Sequence, residues 1–237
     1  MTLPCEFEAP TGPRFGIVVL RTDETLEGDL RRLLPVEARV HVTRVENADE
    51  VDPETLSAMA GRLVASARLL PGGRYDAVAY GCTSASGVIG SDRVADLVRE
   101  GARTAFVTDP LAALVAECER TGVRRLGFVS PYVESVSDRL RARLEAAGMS
   151  VPHLASFGVS DDPSVVRIAP RSVESAAREM AARDVEAVFL SCTNLRTLEA
   201  IERLDVAVPV WSSNLLLARA LMRSVGGRER ALRPMDG

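Results

Sequence analysis

At 237 residues with 46% hydrophobic side chains, the chain is long enough to bury a substantial core as one large domain or two small ones. Its 29 basic and 33 acidic residues leave a net charge of −4, and no basic run is interleaved with aromatics, so no nucleic-acid partner is expected. No stretch approaches the roughly 20 uninterrupted apolar residues of a membrane span, and the opening MTLPCEFEAPTGPRFG lacks a basic segment followed by an apolar one; no membrane partner and a cytoplasmic location are the expectations.

In chain order, residues 1–14 read as a flexible leader. Phe15 to Leu20 (FGIVVL) is a β-branched run suited to a strand buried on both faces, and Thr22-Asp23-Glu24 is a helix start. Ala38 to Val45 alternates like a strand. Pro53 to Leu70 has apolar residues at helical spacing and stops at Pro71-Gly72-Gly73. Asp76 to Tyr80 is a strand, Asp92 to Gly101 a helix, Thr104 to Val107 a strand, and Asp109-Pro110 opens another helix. The second half repeats the alternation: strands at Leu126 to Ser130, Val151 to Phe157, Ala187 to Ser191 and Val208 to Trp211, and helices at Glu134 to Ala147, Arg171 to Arg183, Arg196 to Arg203 and Asn214 to Ser224. From Gly226 the chain is a polar tail expected to fray.

Two pairs of segments tie the halves together. YDAVAYGCTS at Tyr75 to Ser84 answers VEAVFLSCTN at Val185 to Asn194, which sets Cys82 against Cys192 at an offset of 110; Arg14 to Val18 answers Arg125 to Val129 at an offset of 111. The expected fold is α/β: two pseudo-symmetric lobes, residues 15–112 and 113–225, each a four-stranded parallel sheet flanked by helices, with the site in the cleft between them and the last helix (213–225) packing across.

The chemistry concentrates at the repeated Cys-Thr. Ligands of open parallel sheets sit beyond the carboxyl ends of the strands, where both pairs fall. A cysteine there, close to backbone N–H groups and the positive end of a helix, is expected to have a lowered pKa. Thr83, Ser84, Thr193 and Asn194 add short polar side chains for a substrate carboxylate. Facing thiols suit proton removal on one side of a carbon and delivery on the other, or addition of one thiolate to a double bond with the second as acid. The plainer alternative, a buried apolar cysteine, describes Cys5 and Cys118 better. His41 and His153 lie in strand patterns away from both motifs, no phosphate or dinucleotide loop is present, and neither metal nor cofactor is expected.

Through GIVVLRTDETLE (Gly16 to Glu27), AYGCTSASGVIG (Ala79 to Gly90), FVSPYVESV (Phe128 to Val136), FLSCTNLRTLEAIE (Phe189 to Glu202) and PVWSSNLLLARALMR (Pro209 to Arg223), the chain resembles the aspartate/glutamate racemase superfamily, in its branch of maleate cis-trans isomerases, arylmalonate decarboxylases and ectoine-utilisation proteins. The resemblance implies a cofactor-independent enzyme, a small dicarboxylate or amino-acid-like substrate and a homo-oligomer, dimer or tetramer. It implies Cys82 as nucleophile, Cys192 as proton donor, and Tyr132 with its hydroxyl on a substrate oxygen, beside Thr83, Ser84 and Thr193. Retention of Cys82 argues against the decarboxylase branch, which by the resemblance keeps only the second cysteine. Where the resemblance leads one to expect an amide after the first strand, this chain has Asp23, which either faces an amine or amide of the substrate or caps the following helix. Three readings follow: a maleate-like cis-trans isomerase, an amino-acid or ectoine-pathway racemase or epimerase using both thiols as acid and base, and a small-molecule binding protein without turnover.

Overall fold

The computed structural model describes residues 1–226, so the tail expected at 226–237 lies outside the described residues beyond Gly226. Residues 1–12 are exposed and form neither helix nor strand. Strands β1 (Arg14–Leu20), β2 (Arg39–Val45), β3 (Tyr75–Gly81) and β4 (Thr104–Thr108) make a parallel sheet in the order β2-β1-β3-β4. Around it lie α1 (Leu26–Leu33), α2 (Pro53–Ala58), α3 (Ala60–Arg68), α4 (Thr83–Ile89) and α5 (Ser91–Gly101). Helix α6 (Pro110–Thr121) leads to the second sheet, where β5 (Arg125–Tyr132), β6 (Ser150–Val159), β7 (Ala187–Leu190) and β8 (Val210–Ser212) run parallel in the order β6-β5-β7-β8. Its helices are α7 (Glu134–Ala146), α8 (Asp162–Val165), α9 (Pro170–Ala181), α10 (Thr197–Ile201) and α11 (Ser213–Ser224). The two sheets are the same four-strand pattern drawn twice, as the repeated sequence requires.

Local sequence accounts for most of these elements. Phe15 through Leu20 are all buried, because β1 is central in its sheet and covered on both faces. Asp52 caps α2 by accepting from the N–H groups of Glu54 and Thr55, while the Thr55 hydroxyl accepts from the Asp52 N–H. Asp109 caps α6 ahead of Pro110, and Gly122, at φ 79°, ends that helix in the left-handed conformation that glycine tolerates best. The repeated glycine of β1 and β5 has a packing cause: a Cβ on Gly16 would stand 2.8 Å from Leu70 Cδ1, and one on Gly127 2.3 Å from Met180 Cγ. At both places a side chain would force its neighbour, Leu70 or Met180, to move.

Three details differ from the sequence reading. The helix expected over 53–70 is interrupted at Met59, which keeps helical dihedrals (φ −64°, ψ −26°), so the axis continues as α2 and α3. Helix α4 was not expected; its small and β-branched residues, TSASGVI, have weak helical preference, and burial of Thr83 through Gly87 decides the conformation instead. The boundary expected between residues 112 and 113 falls inside α6.

That last difference exposes how the lobes are joined. Helix α6 follows the first sheet, yet Leu111, Leu114 and Cys118 pack with Leu126, Phe128 and Phe189 of the second. Helix α11 follows the second sheet, and its Leu215, Leu217 and Leu221 pack with Phe15, Ile17 and Leu26 of the first. Each half lends its last helix to the other. On the opposite side, Val51 N–H donates to the Ser160 carbonyl and Asp162 N–H to the Asp49 carbonyl, both 2.9 Å, so the loop after β2 is laced to the loop after β6 across the cleft. No described helix is long and apolar enough to cross a membrane.

Candidate active site

The cleft lies at the carboxyl ends of β1, β3, β5 and β7, where successive loops bring four chain segments together. Cys82 ends β3 and serves as N-cap of α4; its Sγ accepts from the Ala85 N–H at 3.4 Å. Cys192 follows β7 but does not head a helix, because α10 starts only at Thr197. It sits at φ 101°, among the described residues the single non-glycine at positive φ, a backbone strain of about 1–3 kcal/mol that the surrounding contacts must hold. Its N–H donates to Ser213 Oγ at 3.1 Å, and its Sγ accepts from the Asn194 N–H at 3.4 Å. Both cysteines are 3% exposed.

Tyr132, at the end of β5, connects Cys192 to a carboxylate. Its hydroxyl donates to Asp162 Oδ1 at 2.7 Å and lies 3.1 Å from Cys192 Sγ. A phenol has one proton, and Asp162 takes it, so the thiol proton is the donor in the second contact. The result is a relay, Cys192 thiol to Tyr132 to Asp162. The other oxygen of Asp162 accepts from the Thr22 hydroxyl at 2.5 Å, and Asn47 Nδ2 donates to that hydroxyl at 2.9 Å. Asp162, Asn47 and Ser213 were not singled out from the sequence. Asp162 sits in the run Ser160-Asp161-Asp162-Pro163, which reads locally as a helix start, and Asp161 is indeed the cap of α8.

The expected pocket residues divide. Thr83 Oγ1 is 2.8 Å from Ser213 Oγ, and Thr193 Oγ1 donates to the Gly81 carbonyl at 3.1 Å, so both hydroxyls are already engaged. Ser84 Oγ is buried with no hydrogen-bond partner and remains available. Asn194 is a joint of the fold: its Oδ1 accepts from the Glu24 N–H at 2.9 Å and its Nδ2 donates to the Asp162 carbonyl at 3.2 Å, while its own carbonyl accepts from the Thr25 hydroxyl at 3.0 Å. Asn214 Nδ2 extends the network to Asp29 Oδ2 (2.7 Å) and the Thr193 carbonyl (2.9 Å).

Asp23 does what the capping alternative describes, and only with one oxygen. Oδ1 accepts from the N–H groups of Thr25 (2.9 Å) and Leu26 (2.8 Å) at the start of α1. Oδ2 is buried and accepts no hydrogen bond. Burial raises the Asp23 carboxyl to about 6, and the nearby charge of Asp162 adds to the rise. Burial likewise pushes the Cys82 thiol up to about 12 and the Cys192 thiol well above its ordinary value, with Asp162 and Asp23 working in the same direction on each. The sequence led to the opposite expectation, a lowered thiol pKa; desolvation outweighs the amide contacts at both sulfurs. At rest the cleft holds two protonated thiols. A narrow cavity beside Cys82 is lined by Asn47, Leu56, Met59, Tyr132 and Asp162, among others.

Comparison with known proteins agrees with this fold. The chain is 27% identical over 227 residues to the maleate isomerase of Nocardia farcinica, with 90% of each protein covered. Its fold superposes on the crystal structure of a maleate isomerase from Pseudomonas putida S16 with a TM-score of 0.82 at 22% identity, over 91% of this chain and 93% of that one. A cysteine-to-serine mutant of the Nocardia farcinica maleate cis-trans isomerase, with a covalently bound succinylcysteine intermediate, superposes with a TM-score of 0.81 at 25% identity, over 91% and 93%. The profile of the arylmalonate decarboxylase family matches residues 42–233, a span that contains both Cys-Thr segments, the Tyr132 relay and the helix exchange; the chain belongs to that family.

Proposed function

We propose that the chain is a cofactor-independent isomerase of a small carboxylic acid, of the maleate cis-trans isomerase type, with Cys82 as nucleophile and Cys192 as acid. The observation that carries the reading is the pair of buried cysteines at matching strand ends of the two sheets, one of them hydrogen-bonded into the Tyr132–Asp162 relay. Cys82 first releases its thiol proton to water; its Sγ, as thiolate, then adds to one carbon of the double bond, and the π pair moves into the adjoining carboxylate as an enediolate. The former double bond is now single and rotates. The electron pair then returns, the C–S bond breaks, and the thiolate is released with the trans acid. Cys192, tied to Tyr132, can give its proton to the enediolate carbon and take it back. Ser84 Oγ offers a hydrogen bond to a substrate carboxylate. A succinylcysteine in a related maleate isomerase supports the C–S bond.

A second reading has its own observation. Two carboxylates, Asp23 and Asp162, bear on both thiols, an odd environment for a dianion and a natural one for an amino-acid-like substrate. There the thiols would work as acid and base on a Cα–H, one removing the proton and the other delivering one to the opposite face.

Proton NMR in D₂O separates the readings, using maleate, aspartate, glutamate and ectoine-derived amino acids with wild type, Cys82→Ser and Cys192→Ser. Maleate converted to fumarate, with loss of several orders of magnitude in rate in Cys82→Ser, is the expected result. Deuterium entering a Cα position with maleate untouched selects the acid-base reading. No turnover with ligand affinity intact in both serine variants refutes catalysis altogether.

A further inference from the structure

Thr83 and Thr193 hold corresponding places in the two halves, yet their hydroxyls do different things. Thr193 Oγ1 reaches the Gly81 carbonyl of the other sheet at 3.1 Å, which ties the Cys192 turn to the residue before Cys82. At the offset of 110, the counterpart bond would run from Thr83 to the Ser191 carbonyl. Thr83 Oγ1 instead meets Ser213 Oγ at 2.8 Å, and Ser213 Oγ accepts from the Cys192 N–H at 3.1 Å. One hydroxyl thus stands between the residue after Cys82 and the backbone of Cys192.

The place of Ser213 follows from the second sheet. The Ser191 N–H donates to the Val129 carbonyl at 2.8 Å, and the chain then leaves the sheet with Cys192 at φ 101°. Leu190 pairs with Ser212 at the end of β8, so the next residue, Ser213, lies fully buried beside that turn. Asn214 Nδ2 donates to the Thr193 carbonyl at 2.9 Å, so the start of α11 holds two successive residues of the turn. An L residue at positive φ relaxes toward negative φ unless something prevents it. Rotation at Cys192 would swing its Sγ away from the Tyr132 hydroxyl, now 3.1 Å distant. The hydroxyl acceptor prevents it, because a relaxed turn would leave the Cys192 N–H buried without a partner. Ser213 does not line the cavity beside Cys82.

We infer that Ser213 is a positioning residue: its hydroxyl holds Cys192 at positive φ with the sulfur on Tyr132, and sets that turn against Thr83 behind Cys82. This rests on Cys192 being the proton donor of the proposed function, and it applies to the isomerase and to the acid-base reaction alike. Ser213 acts on the proton step through Cys192 and not on substrate affinity, so kcat and KM respond unequally to its loss.

The test compares wild type, Ser213→Ala and Val98→Ala, with thermal melts confirming that each folds. Val98 is buried on α5, which packs against α3 and β4, so its truncation lowers stability without touching the turn. Two quantities are read: the rates at which iodoacetamide labels Cys192 and Cys82 at pH 9, separated by peptide mapping, and kcat and KM for whichever acid of the NMR panel is turned over. In Ser213→Ala the ratio of Cys192 to Cys82 labelling is expected to rise about tenfold, and kcat to fall about tenfold to hundredfold with KM within about twofold of wild type. Val98→Ala is expected to leave the ratio and kcat within about twofold, because a general loosening exposes both thiols alike. A ratio unchanged in Ser213→Ala, or a rise that Val98→Ala matches, overturns the inference. So does a raised ratio with kcat intact, or a loss carried by KM alone. Should Ser213→Ala not fold, Ser213→Cys, close in volume and a weak acceptor, decides by the same ratio: a rise of about threefold supports the inference and no change overturns it. Where wild type turns over none of the acids, the proposed reaction falls, and the labelling ratio by itself decides whether Ser213 holds Cys192 in place.

Discussion

Replacing Asp23 with Asn is expected to change the pH dependence of folding in a direction opposite to that of most carboxylates. The native Asp23 keeps its proton up to about 6, while in the unfolded chain it releases it near 3.8. Between those values the native state binds more protons than the unfolded one, so this group's contribution to stability falls as pH rises and is fully unfavourable above 6. The interval corresponds to about 3 kcal/mol. Asn resembles the protonated acid: its carbonyl oxygen can keep the bonds from the Thr25 and Leu26 amides, and its NH₂ adds a buried donor at a cost of about 1 kcal/mol. At pH 4 the variant should therefore be slightly less stable than wild type, and at pH 7.5 more stable by about 2 kcal/mol, equivalent to a melting shift of about 4–8 °C for a chain of this size. Urea unfolding of both proteins at the two pH values measures the difference. Asp29, also raised to about 6, is present in both and cancels. A gap that does not widen with pH, or that widens in favour of wild type, refutes the assignment of Asp23 as a desolvated, half-paired carboxyl.

Alkylation by iodoacetamide followed by peptide mapping should label exposed Cys5 quickly and Cys82 very slowly. With the Cys82 thiol at about 12, its labelling rate should climb about tenfold per pH unit from 7 to 10 without levelling; a plateau below pH 9 would contradict the buried-thiol account. Glu117→Gln tests the helix exchange. Glu117 is fully buried and receives Arg120 from its own α6 and Arg219 and Arg223 from α11, all at 2.8–2.9 Å. Burial by itself raises its pKa, but these guanidiniums together outweigh it and hold the carboxyl below the ordinary 4.5, so its stabilisation is present above 4.5 and disappears as pH falls through the lower native value. With the arginines partly exposed and screened, the substitution should cost about 2 kcal/mol at pH 7.5 and little at pH 3. An unchanged urea midpoint at pH 7.5 would remove the cluster from the forces that hold α6 to α11.

The layered α/β architecture was legible because most strands are short apolar runs and most helices, though not α4 or α8, have a recognisable start. Phe15 to Leu20 can be little else in a chain that continues into Thr22-Asp23-Glu24. Of the helix exchange, the last helix was expected to pack across, but the crossing of α6 to the second sheet was not legible. LAALVAECER is apolar along one face whichever sheet it covers, and only three-dimensional packing shows Leu114 against Phe128 rather than against β3. The same limit hid Asp162. A Ser-Asp-Asp-Pro turn announces a cap, and one of its two aspartates supplies it; that the other meets a tyrosine 30 positions earlier in the chain depends on where β5 and β6 end together.

Duplication makes the two Cys-Thr segments look equivalent, and their surroundings make them different. After Cys82 the residues Thr83-Ser84-Ala85 wind directly into a helix, so its sulfur meets the Ala85 amide and the Tyr80 hydroxyl, which donates to Met59 Sδ and not to a carboxylate. After Cys192 the chain turns through Asn194, the backbone is held at positive φ, and the sulfur reaches Tyr132, a residue whose counterpart position in the first half is Arg21. A thiol with a phenol and a carboxylate behind it is placed to move a proton. A thiol whose phenol neighbour faces a thioether instead of a carboxylate is placed to form or break a bond to carbon. The division of labour proposed for two cysteines that the sequence writes alike rests on the Tyr132–Asp162 pair behind Cys192, which the Tyr80–Met59 contact beside Cys82 does not reproduce.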